Sequence, residues 1–379
     1  MKKFLFRKSM VAGAILLFFG MSIALSTAGM IENEYDITDN KIPGITLGPR
    51  GITLYVGGDG PGNYSKIQDA IENASDGDTV FVYNGTYTEN LIVNKTINLF
   101  GEDKDITIIQ GNRTGDVVSI SATLVNISGF TIQESEISYY YAGIETNSSY
   151  TTINNNNILN IGNGVYITSS SNNIISNNTF TNSGLIVPTT GPYQNTVLNN
   201  TVNGKALIYL DEESDLVIEE AAGQIILMDC NNITILNQDI SHTGIGIQMI
   251  ESNECTISNN DIYSNYICGI QMIDSDNCII SENDIYSNND CAIQMMNIDN
   301  CMISDNNIYS NYFALLLEFT SLNTFKRNNF GNNFVHVVSI FGSLNNWNGN
   351  YWNRPRIFPK LILEIPRINF DWNPANQPY

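Results

Sequence analysis

Positively charged residues are scarce in this chain of 379 residues, which has 17 lysines and arginines against 38 aspartates and glutamates. Between Arg113 and Lys326, Lys205 is the only lysine or arginine. Nucleic acids and other polyanions need basic patches, so this composition excludes them as partners. It also argues against lyase-type elimination, which requires a basic side chain, and the negative field repels acidic sugars.

Histidine is almost absent, with only His242 and His336, which argues against a histidine-rich metal centre. The amino-acid composition also disfavours helices, because 55 residues are asparagine, a poor helix former that is common in turns. Long helices and helical bundles are therefore excluded. A disordered chain is excluded in turn by the 42% of residues that are apolar.

The N-terminus has the pattern of a secretory signal. Four basic residues within the first eight precede an apolar stretch over 10–25, and small residues at 26–28 fit a cleavage site. The apolar stretch is about 16 residues long, which is short for a membrane-spanning helix. We expect a signal peptide at 1–28, with an uncleaved anchor as the alternative, and a linker at 29–51. The protein is therefore predicted to be secreted or exposed at the cell surface.

The centre of the sequence is a repeat with a spacing of 22 or 23 residues. The pattern Cys-x-Ile-Ser-x-Asn-x-Ile-Tyr-Ser-Asn begins at Cys255, at Cys278 and at Cys301. Each copy consists of short stretches with alternating apolar residues, separated by Asn, Ser, Asp and Gly, and it lacks a helical half. The pattern predicts an all-β fold, a right-handed parallel β-helix with three strands per coil and roughly ten coils.

Residues one repeat apart become neighbours in adjacent coils of such a fold, about 4.8 Å apart. Asn260, Asn283 and Asn306 are therefore predicted to form a ladder at a turn, where asparagine tolerates a left-handed backbone and its amide can hydrogen-bond along the rod. Two sulfur columns are predicted to fill the core: Cys255, Cys278 and Cys301, and Met249, Met272 and Met295.

Two further columns recur along the last strand of each repeat. Gln248, Gln271 and Gln294 are expected to point outward, because they alternate with the methionines. Cys268 and Cys291 also lie one coil apart. Stacked cysteines have suitable Cα spacing but parallel Cβ directions, so we expect mostly free thiols.

Both ends of the predicted rod must be covered, because exposed strand edges promote aggregation. Residues 52–96 are predicted to form an N-terminal cap and first coil, with a short amphipathic helix that begins at a capping-box pair of Ser65 and Gln68. The β-helix proper is predicted over 97–340. The segment 341–379 is rich in aromatic residues and proline, and we expect it to cap the last coil.

Three segments resemble a known family. The stretch Leu54–Tyr64 is similar to the opening of secreted archaeal β-helix proteins, Asn203–Leu227 resembles an insertion of the NosD-type β-helix family, and Asn348–Trp372 fits the same group. The resemblance implies a pectin-lyase-like β-helix. For the broader group it implies carbohydrate binding or sugar hydrolysis, and for NosD-type members copper delivery to nitrous oxide reductase.

A column of tyrosines suggests a binding surface. Tyr263, Tyr286 and Tyr309 recur at the spacing of the repeat and are expected to point outward. Aromatic rings can stack on sugars, although such a column can also simply stabilise the sheet. The shortage of basic residues favours a neutral polysaccharide or another component of the cell envelope as the partner.

Acidic residues also recur one coil apart, and two functions are open for them. Stacked carboxylates could bind Ca²⁺, which prefers several oxygen ligands, or a pair could hydrolyse a polysaccharide. A solvated acidic face is the simpler interpretation. The candidate pairs are Asp261 and Asp284, Asp276 and Asp299, Glu282 and Asp305, and Glu251 and Asp274.

Three functions remain in competition on the sequence alone. The leading hypothesis is a non-catalytic envelope protein that binds a neutral glycan or has a structural role, without a certain cofactor. A polysaccharide hydrolase is the second. A NosD-like copper accessory protein is the third, and the sulfur columns would be its ligands, because Cu(I) favours cysteine and methionine.

Overall fold

A computed structural model describes residues 51–135, 141–189, 194–354, 359–365 and 367–379. The predicted signal peptide at 1–28 and the predicted linker, except Gly51, lie outside the described residues. Among the helices that the structure describes, none is long and apolar enough to cross a membrane.

The described chain is a right-handed parallel β-helix of short strands, which confirms the predicted fold class. The rod has about 13 turns, more than the roughly ten that the repeat spacing predicts. Its first half comprises β1 (Thr53–Val56), α1 (Ile67–Asn73), β2 (Thr79–Val82), β3 (Gly85–Thr88), β4 (Leu91–Val93), β5 (Asn98–Gly101), β6 (Thr107–Gln110), β7 (Val118–Ile120), β8 (Asn126–Ser128), β9 (Thr131–Gln133), β10 (Ala142–Thr146), β11 (Thr152–Asn154), β12 (Asn157–Leu159), β13 (Asn163–Ile167), β14 (Ile174–Ser176), β15 (Thr179–Thr181), β16 (Leu185–Ile186), β17 (Thr196–Leu198) and β18 (Thr201–Val202).

The second half continues the coils with somewhat longer third strands. It comprises β19 (Lys205–Asp211), β20 (Val217–Ile218), β21 (Ala222–Met228), β22 (Thr234–Leu236), β23 (Asp239–Ser241), β24 (Ile245–Ile250), β25 (Thr256–Ser258), β26 (Asp261–Tyr263), β27 (Cys268–Ile273), β28 (Ile279–Ser281), β29 (Asp284–Tyr286), β30 (Cys291–Met296), β31 (Met302–Ser304), β32 (Asn307–Tyr309), β33 (Phe313–Glu318), β34 (Thr324–Lys326), β35 (Asn329–Gly331), β36 (Val335–Ile340), β37 (Asn346–Asn348), β38 (Tyr351–Trp352), β39 (Lys360–Ile365) and β40 (Arg367–Asp371).

One sheet runs through both halves, whereas the others belong to one half each. The shared sheet has the order β3-β6-β9-β12-β15-β18-β19-β21-β24-β27-β30-β33-β36-β39-β40. The first half adds the sheets β1-β2-β5-β8-β11-β14-β17 and β16-β13-β10-β7-β4. The second half adds β20-β22-β25-β28-β31-β34-β37 and β23-β26-β29-β32-β35-β38.

A hairpin between β18 and β19 reverses the direction of the strands inside the shared sheet. The two strands pair antiparallel, with Val202 opposite Lys205, and β19 then pairs parallel with β21. The connecting residues Asn203 and Gly204 both have a positive φ, 51° and 79°, as a type I′ turn requires. The strands of the second half therefore run opposite to those of the first.

The reversal gives the two halves separate hydrophobic cores on opposite faces of the shared sheet. Along β21, Ile225 and Leu227 pack into the second core, whereas Ile226 and Met228 pack into the first. Alternate side chains of a strand point to opposite faces. The middle of the shared sheet is consequently buried on both sides, and a single continuous core does not exist.

The glutamine column is buried, so the expectation that it points outward is wrong. Gln248 is fully buried, Gln271 is 9% exposed and Gln294 is half-buried. The first half covers this face, and the Gln248 side chain accepts the Val187 N–H at 3.3 Å and donates to Val187 O at 3.3 Å. It also donates to Gln271 Oε1 at 2.9 Å. The face of the shared sheet that points away from the second core points into the first core.

The asparagine ladder lies beside the turn and not in its left-handed position. Asn260 Nδ2 donates to Asn283 Oδ1 at 2.9 Å, and Asn283 Nδ2 donates to Asn306 Oδ1 at 2.9 Å. All three side chains are at most 2% exposed. The left-handed conformation belongs to the preceding residues, Asn259, Glu282 and Asp305, with φ of 55°, 58° and 60°. Hydrogen bonding, and not tolerance of positive φ, therefore explains this column.

The sulfur columns pack in the second core, as expected, but one pair of cysteines is bonded. Cys255, Cys278 and Cys301 are buried free thiols in successive coils. Cys268 and Cys291 form a disulfide with a Cα–Cα distance of 4.7 Å, within the usual range.

The N-terminal helix α1 covers the first coils with Ile67, Ala70 and Ile71, all fully buried. The predicted capping box is wrong, because the N-cap position is Lys66 and no side chain of the helix caps it. The cap comes from Glu89, whose carboxylate accepts the N–H groups of Ile67 at 2.9 Å and Gln68 at 3.0 Å. A residue in the next coil thus supplies what the local sequence does not.

Replacing Glu89 with alanine is expected to lower the free energy of unfolding by about 1 kcal/mol, the typical value of a lost N-cap. Thermal unfolding followed by circular dichroism measures the change. Ser65→Ala is the matched control and should change stability by less than about 0.5 kcal/mol. A larger loss for Ser65→Ala than for Glu89→Ala would contradict this assignment.

The stacking of coils continues beyond residue 340, where the sequence predicted the tail to begin. Phe325 stacks on Trp347 at 4.0 Å, and Phe330 stacks on Trp352 at 4.6 Å. Strands β39 and β40 then form an antiparallel hairpin that ends the shared sheet. Trp347 and Trp352, two of the aromatic residues that mark the tail in the sequence, therefore fill the last coils of the second core.

Candidate functional site

The predicted tyrosine column is a face-to-face stack on the sheet that contains β26, β29 and β32. The ring centroids of Tyr263 and Tyr286 are 4.9 Å apart, and those of Tyr286 and Tyr309 are 4.8 Å apart. The ring planes are parallel to within 3°. Neighbouring rings therefore cover each other's faces, and the stack presents ring edges to solvent and open faces only at its two ends.

Acidic residues beside the stack help to raise the pKa values of two of its tyrosine hydroxyls. Burial and the nearby charge of Asp261 raise the pKa of Tyr286 to about 12. Burial and the charge of Asp284 also raise the pKa of Tyr309. Both hydroxyls therefore stay protonated across the physiological range, and the Tyr286 hydroxyl hydrogen-bonds to Asp261.

A polar cleft of about 370 Å³ lies where the turns of the two halves meet. We call it the junction cleft. His242 connects it to the tyrosine stack, because the His242 ring meets the ring of Tyr263 edge-on at 6.2 Å. The side chains are mainly hydroxyls and amides, which suit hydrogen bonds to an uncharged polar ligand. The lining residues used below are His242, Ser264, Tyr266, Ser287 and Asn289.

The acidic pairs proposed from the sequence lie one coil apart, and protein groups already bind several of them. Asp284 accepts a hydrogen bond from the Asn307 amide at 2.7 Å. Asp305, which follows Glu282 in its column, forms an ion pair with Arg327 at 2.6 Å.

The remaining candidate sites also consist of only two carboxylates each. Asp276 accepts the backbone N–H of Asp299 at 2.6 Å, Asp261 faces Asp284 in the next coil, and Glu251 lies near Asp274. Ca²⁺ normally takes six to eight oxygen ligands. Among the described residues, no group of three or more His, Cys, Asp or Glu side chains could hold a metal ion.

One carboxyl pair that the repeats do not reveal lies on the outer face of β10 in the first half. Burial raises the pKa of Glu145 to about 7, with further contributions from a hydrogen bond to Asp116 and from its charge. Tyr166 is next to Glu145 in the neighbouring strand. Glu145 has no acidic counterpart in the adjacent coils, where Ser119 and Tyr166 occupy the matching positions. The repeat pattern therefore could not identify it.

The sequence also matches the profile of a protein family described as "Periplasmic copper-binding protein (NosD)", over residues 71–221 and again over 208–357. The two matches together cover well over half of the chain. The chain belongs to the NosD family. The first match ends in the region of the reversing hairpin and the second begins there, so each match corresponds to about one half of the rod.

The residues of this NosD chain do not fit a preformed copper centre. Copper needs deprotonated thiolates, but a hydrogen bond with Cys278 and burial raise the pKa of the Cys255 thiol far above its usual range. The thiols of Cys278 and Cys301 donate instead to backbone carbonyls, at 3.4 Å to Ser252 O and 3.5 Å to Ser275 O. The sulfur columns therefore act as core packing, and no copper chemistry is derived from them.

Solved structures with a similar fold are all distant from this NosD chain in sequence. An alginate lyase from Paenibacillus sp. is 16% identical, with a TM-score of 0.39 over 69% of this chain and 95% of the lyase. A mannuronan C-5 epimerase A-module from Azotobacter vinelandii is 13% identical, with a TM-score of 0.32 over 75% of this chain and 86% of the module. No curated protein is significantly similar in sequence. These likenesses concern the fold and carry no conclusion about activity.

Proposed function

We propose that this NosD-family protein is exported and binds a neutral glycan of the cell envelope without cleaving it. The observation that carries the proposal is the tyrosine stack of Tyr263, Tyr286 and Tyr309 beside the junction cleft. A half-buried aromatic stack next to a cleft lined by hydroxyl and amide side chains is an arrangement suited to sugars, which have both apolar C–H faces and hydroxyl groups.

The charges around the site favour an uncharged sugar. Asp261 and Asp284 flank the stack, and in sequence no lysine or arginine occurs between Lys205 and Lys326. A uronic acid would meet a negative field here, and the cations Lys205 and Arg327 are already paired with Asp239 and Asp305. Neutral hydroxyls can instead hydrogen-bond to the tyrosine hydroxyls and to Ser264, Ser287 and Asn289 in the cleft.

The test is binding and turnover of neutral hexasaccharides of β-1,4-glucan, α-1,4-glucan and β-1,4-mannan by the purified protein. Calorimetry is expected to detect binding to at least one of them, and a reducing-end assay no release of new ends. Replacing both Tyr263 and Tyr286 with alanine should weaken binding by about tenfold or more, since it removes two ring edges and hydroxyls of the stack and the ring that supports Tyr309 from below.

The control is Tyr150→Ala, which removes a tyrosine that is 44% exposed and lies outside the stack and the cleft. It should bind as the wild type does. If the double variant and Tyr150→Ala bind equally well, the stack is not the binding surface. If none of the three sugars binds, the proposal of a neutral-glycan site is wrong.

A hydrolase is the second candidate, and the pair of Glu145 and Asp116 favours it. A carboxyl group with a pKa of about 7 can serve as a general acid near neutral pH, and Asp116 supplies the second carboxyl group that glycoside hydrolysis needs. The same reducing-end assay separates the two functions. Turnover that is lost in Glu145→Gln and kept in the tyrosine double variant would replace the binding proposal with a hydrolase.

A further inference from the structure

The tyrosine stack ends at Tyr309, although the column continues by one more position. In the next coil, Gly331 occupies the place that a fourth tyrosine would take, directly in register with Tyr309. We propose that the open face of Tyr309 and the space above Gly331 form a slot that receives one ring of the neutral sugar. The inference rests on the proposed function and specifies where on the stack a sugar is held.

The position at which a fourth ring would begin is open. A side-chain Cβ built at Gly331 would lie within 4 Å of only one atom beyond its chain neighbours, Tyr309 Cβ at 3.5 Å, so the position is open. The rings of the stack repeat at 4.8 Å and 4.9 Å. A sugar ring above Gly331 would therefore contact Tyr309 as Tyr309 contacts Tyr286.

The two ends of the stack differ, which assigns the slot to one of them. At the other end, the His242 ring meets Tyr263 edge-on and occupies space beside its outer face. Tyr263 is thus partly covered by the protein, whereas Tyr309 faces a residue without a side chain. Only the Tyr309 end offers a complete ring face along the axis of the stack.

The groups around the slot are polar and suited to sugar hydroxyls. Asn329 Nδ2 donates to Asn307 Oδ1 at 2.6 Å, and Asn307 Nδ2 donates to Asp284 Oδ1 at 2.7 Å, so a row of amides follows the stack. The backbone of Tyr379 binds the Asn329 side chain, with its N–H donating to Asn329 Oδ1 at 2.9 Å, so Tyr379 also borders the slot. On the other side lie the exposed residues Ser310 and Asn332. A sugar ring can stack on Tyr309 through its C–H face and form hydrogen bonds to the surrounding polar groups through its hydroxyls.

The deciding variant is Gly331→Tyr, which fills the slot and removes no existing residue. The full-length protein and the tightest-binding of the three hexasaccharides are used, with calorimetry as the readout. Binding should weaken at least tenfold. Gly331→Ala is the matched control, because it adds only the Cβ for which there is room and leaves the slot open; its affinity should stay within twofold of the wild type.

A second variant, Tyr309→Ala, removes the ring face and keeps Gly331, so the slot is tested even if Gly331→Tyr fails to fold. It should also weaken binding about tenfold. Wild-type affinity in both Gly331→Tyr and Tyr309→Ala would overturn the slot, and the proposed function would stand if the Tyr263 and Tyr286 double variant still lost binding. No binding by the wild type would overturn both.

Discussion

Replacing Asn283 with alanine is expected to lower the free energy of unfolding by about 3–5 kcal/mol. The side chain is 1% exposed, and its Oδ1 accepts both the N–H and the amide group of Asn260, at 3.0 Å and 2.9 Å. Its Nδ2 donates to Ile257 O and to Asn306 Oδ1, each at 2.9 Å. Truncation leaves two buried donors and a buried carbonyl unsatisfied, each of which costs about 1–3 kcal/mol before relaxation.

Urea unfolding followed by circular dichroism measures this loss. Asn307→Ala is the control, because this asparagine is in the next coil, beside Asn306, but is exposed, and its removal should cost less than about 0.5 kcal/mol. Asn283→Asp keeps the acceptor and loses both donors, so its effect should lie between the two. Equal stability of Asn283→Ala and Asn307→Ala would show that the ladder does not hold the coils together.

The alignment of coils could be predicted from the sequence because parallel stacking brings like residues together. Cys255, Cys278 and Cys301 occur at equal spacing, and a regular β-helix allows only one register in which they meet. The tyrosine stack follows from the same argument. The spacing alone does not show that the three rings cover one another and leave only edges and end faces open.

The reversal of strand direction could not be predicted from periodicity, although a local signal for it exists. Asn203-Gly204 is a strong hairpin dipeptide, but each half keeps the same period on either side of it. The effect of the reversal on burial depends on which face of the shared sheet each half covers. For that reason alternation predicts Gln248 at the surface, whereas the first half buries it.

Contacts between distant residues explain the other differences. Glu89 caps a helix that begins 22 residues earlier, and the pKa of Glu145 is raised by burial and by Asp116 in the preceding coil. Neither residue belongs to a column of the repeat. A residue that appears once in a periodic sequence gives no pattern from which its partner can be inferred.

Replacing Asp371 with alanine is expected to release the last coil of the rod. Asp371 is fully buried and ends the row of asparagines at Asn306, Asn328 and Asn350. Its Oδ2 accepts the N–H of Asn350 at 3.0 Å, the Asn350 amide at 3.2 Å and the Trp352 Nε1 at 3.0 Å. An acceptor without donors suits this position, because no further coil has to receive a hydrogen bond.

The loss should be local, because each coil of a solenoid contacts only its neighbours. Amide hydrogens of β38 and β40 are expected to exchange about 100-fold faster in Asp371→Ala, which corresponds to about 3 kcal/mol of local stability. Exchange in the first half of the rod should not change. Trp372→Ala, which truncates a neighbour that is 72% exposed, is the control and should leave the exchange of β38 as it is.

Asp371→Asn provides a graded third variant, because it keeps one acceptor and replaces the other by a donor. Its exchange rates should lie between those of the wild type and Asp371→Ala. If all three variants protect β38 equally, the row of asparagines does not need a terminating acceptor. A uniform increase of exchange along the whole rod would instead show that the two cores unfold as one cooperative unit, and that the shared sheet couples them.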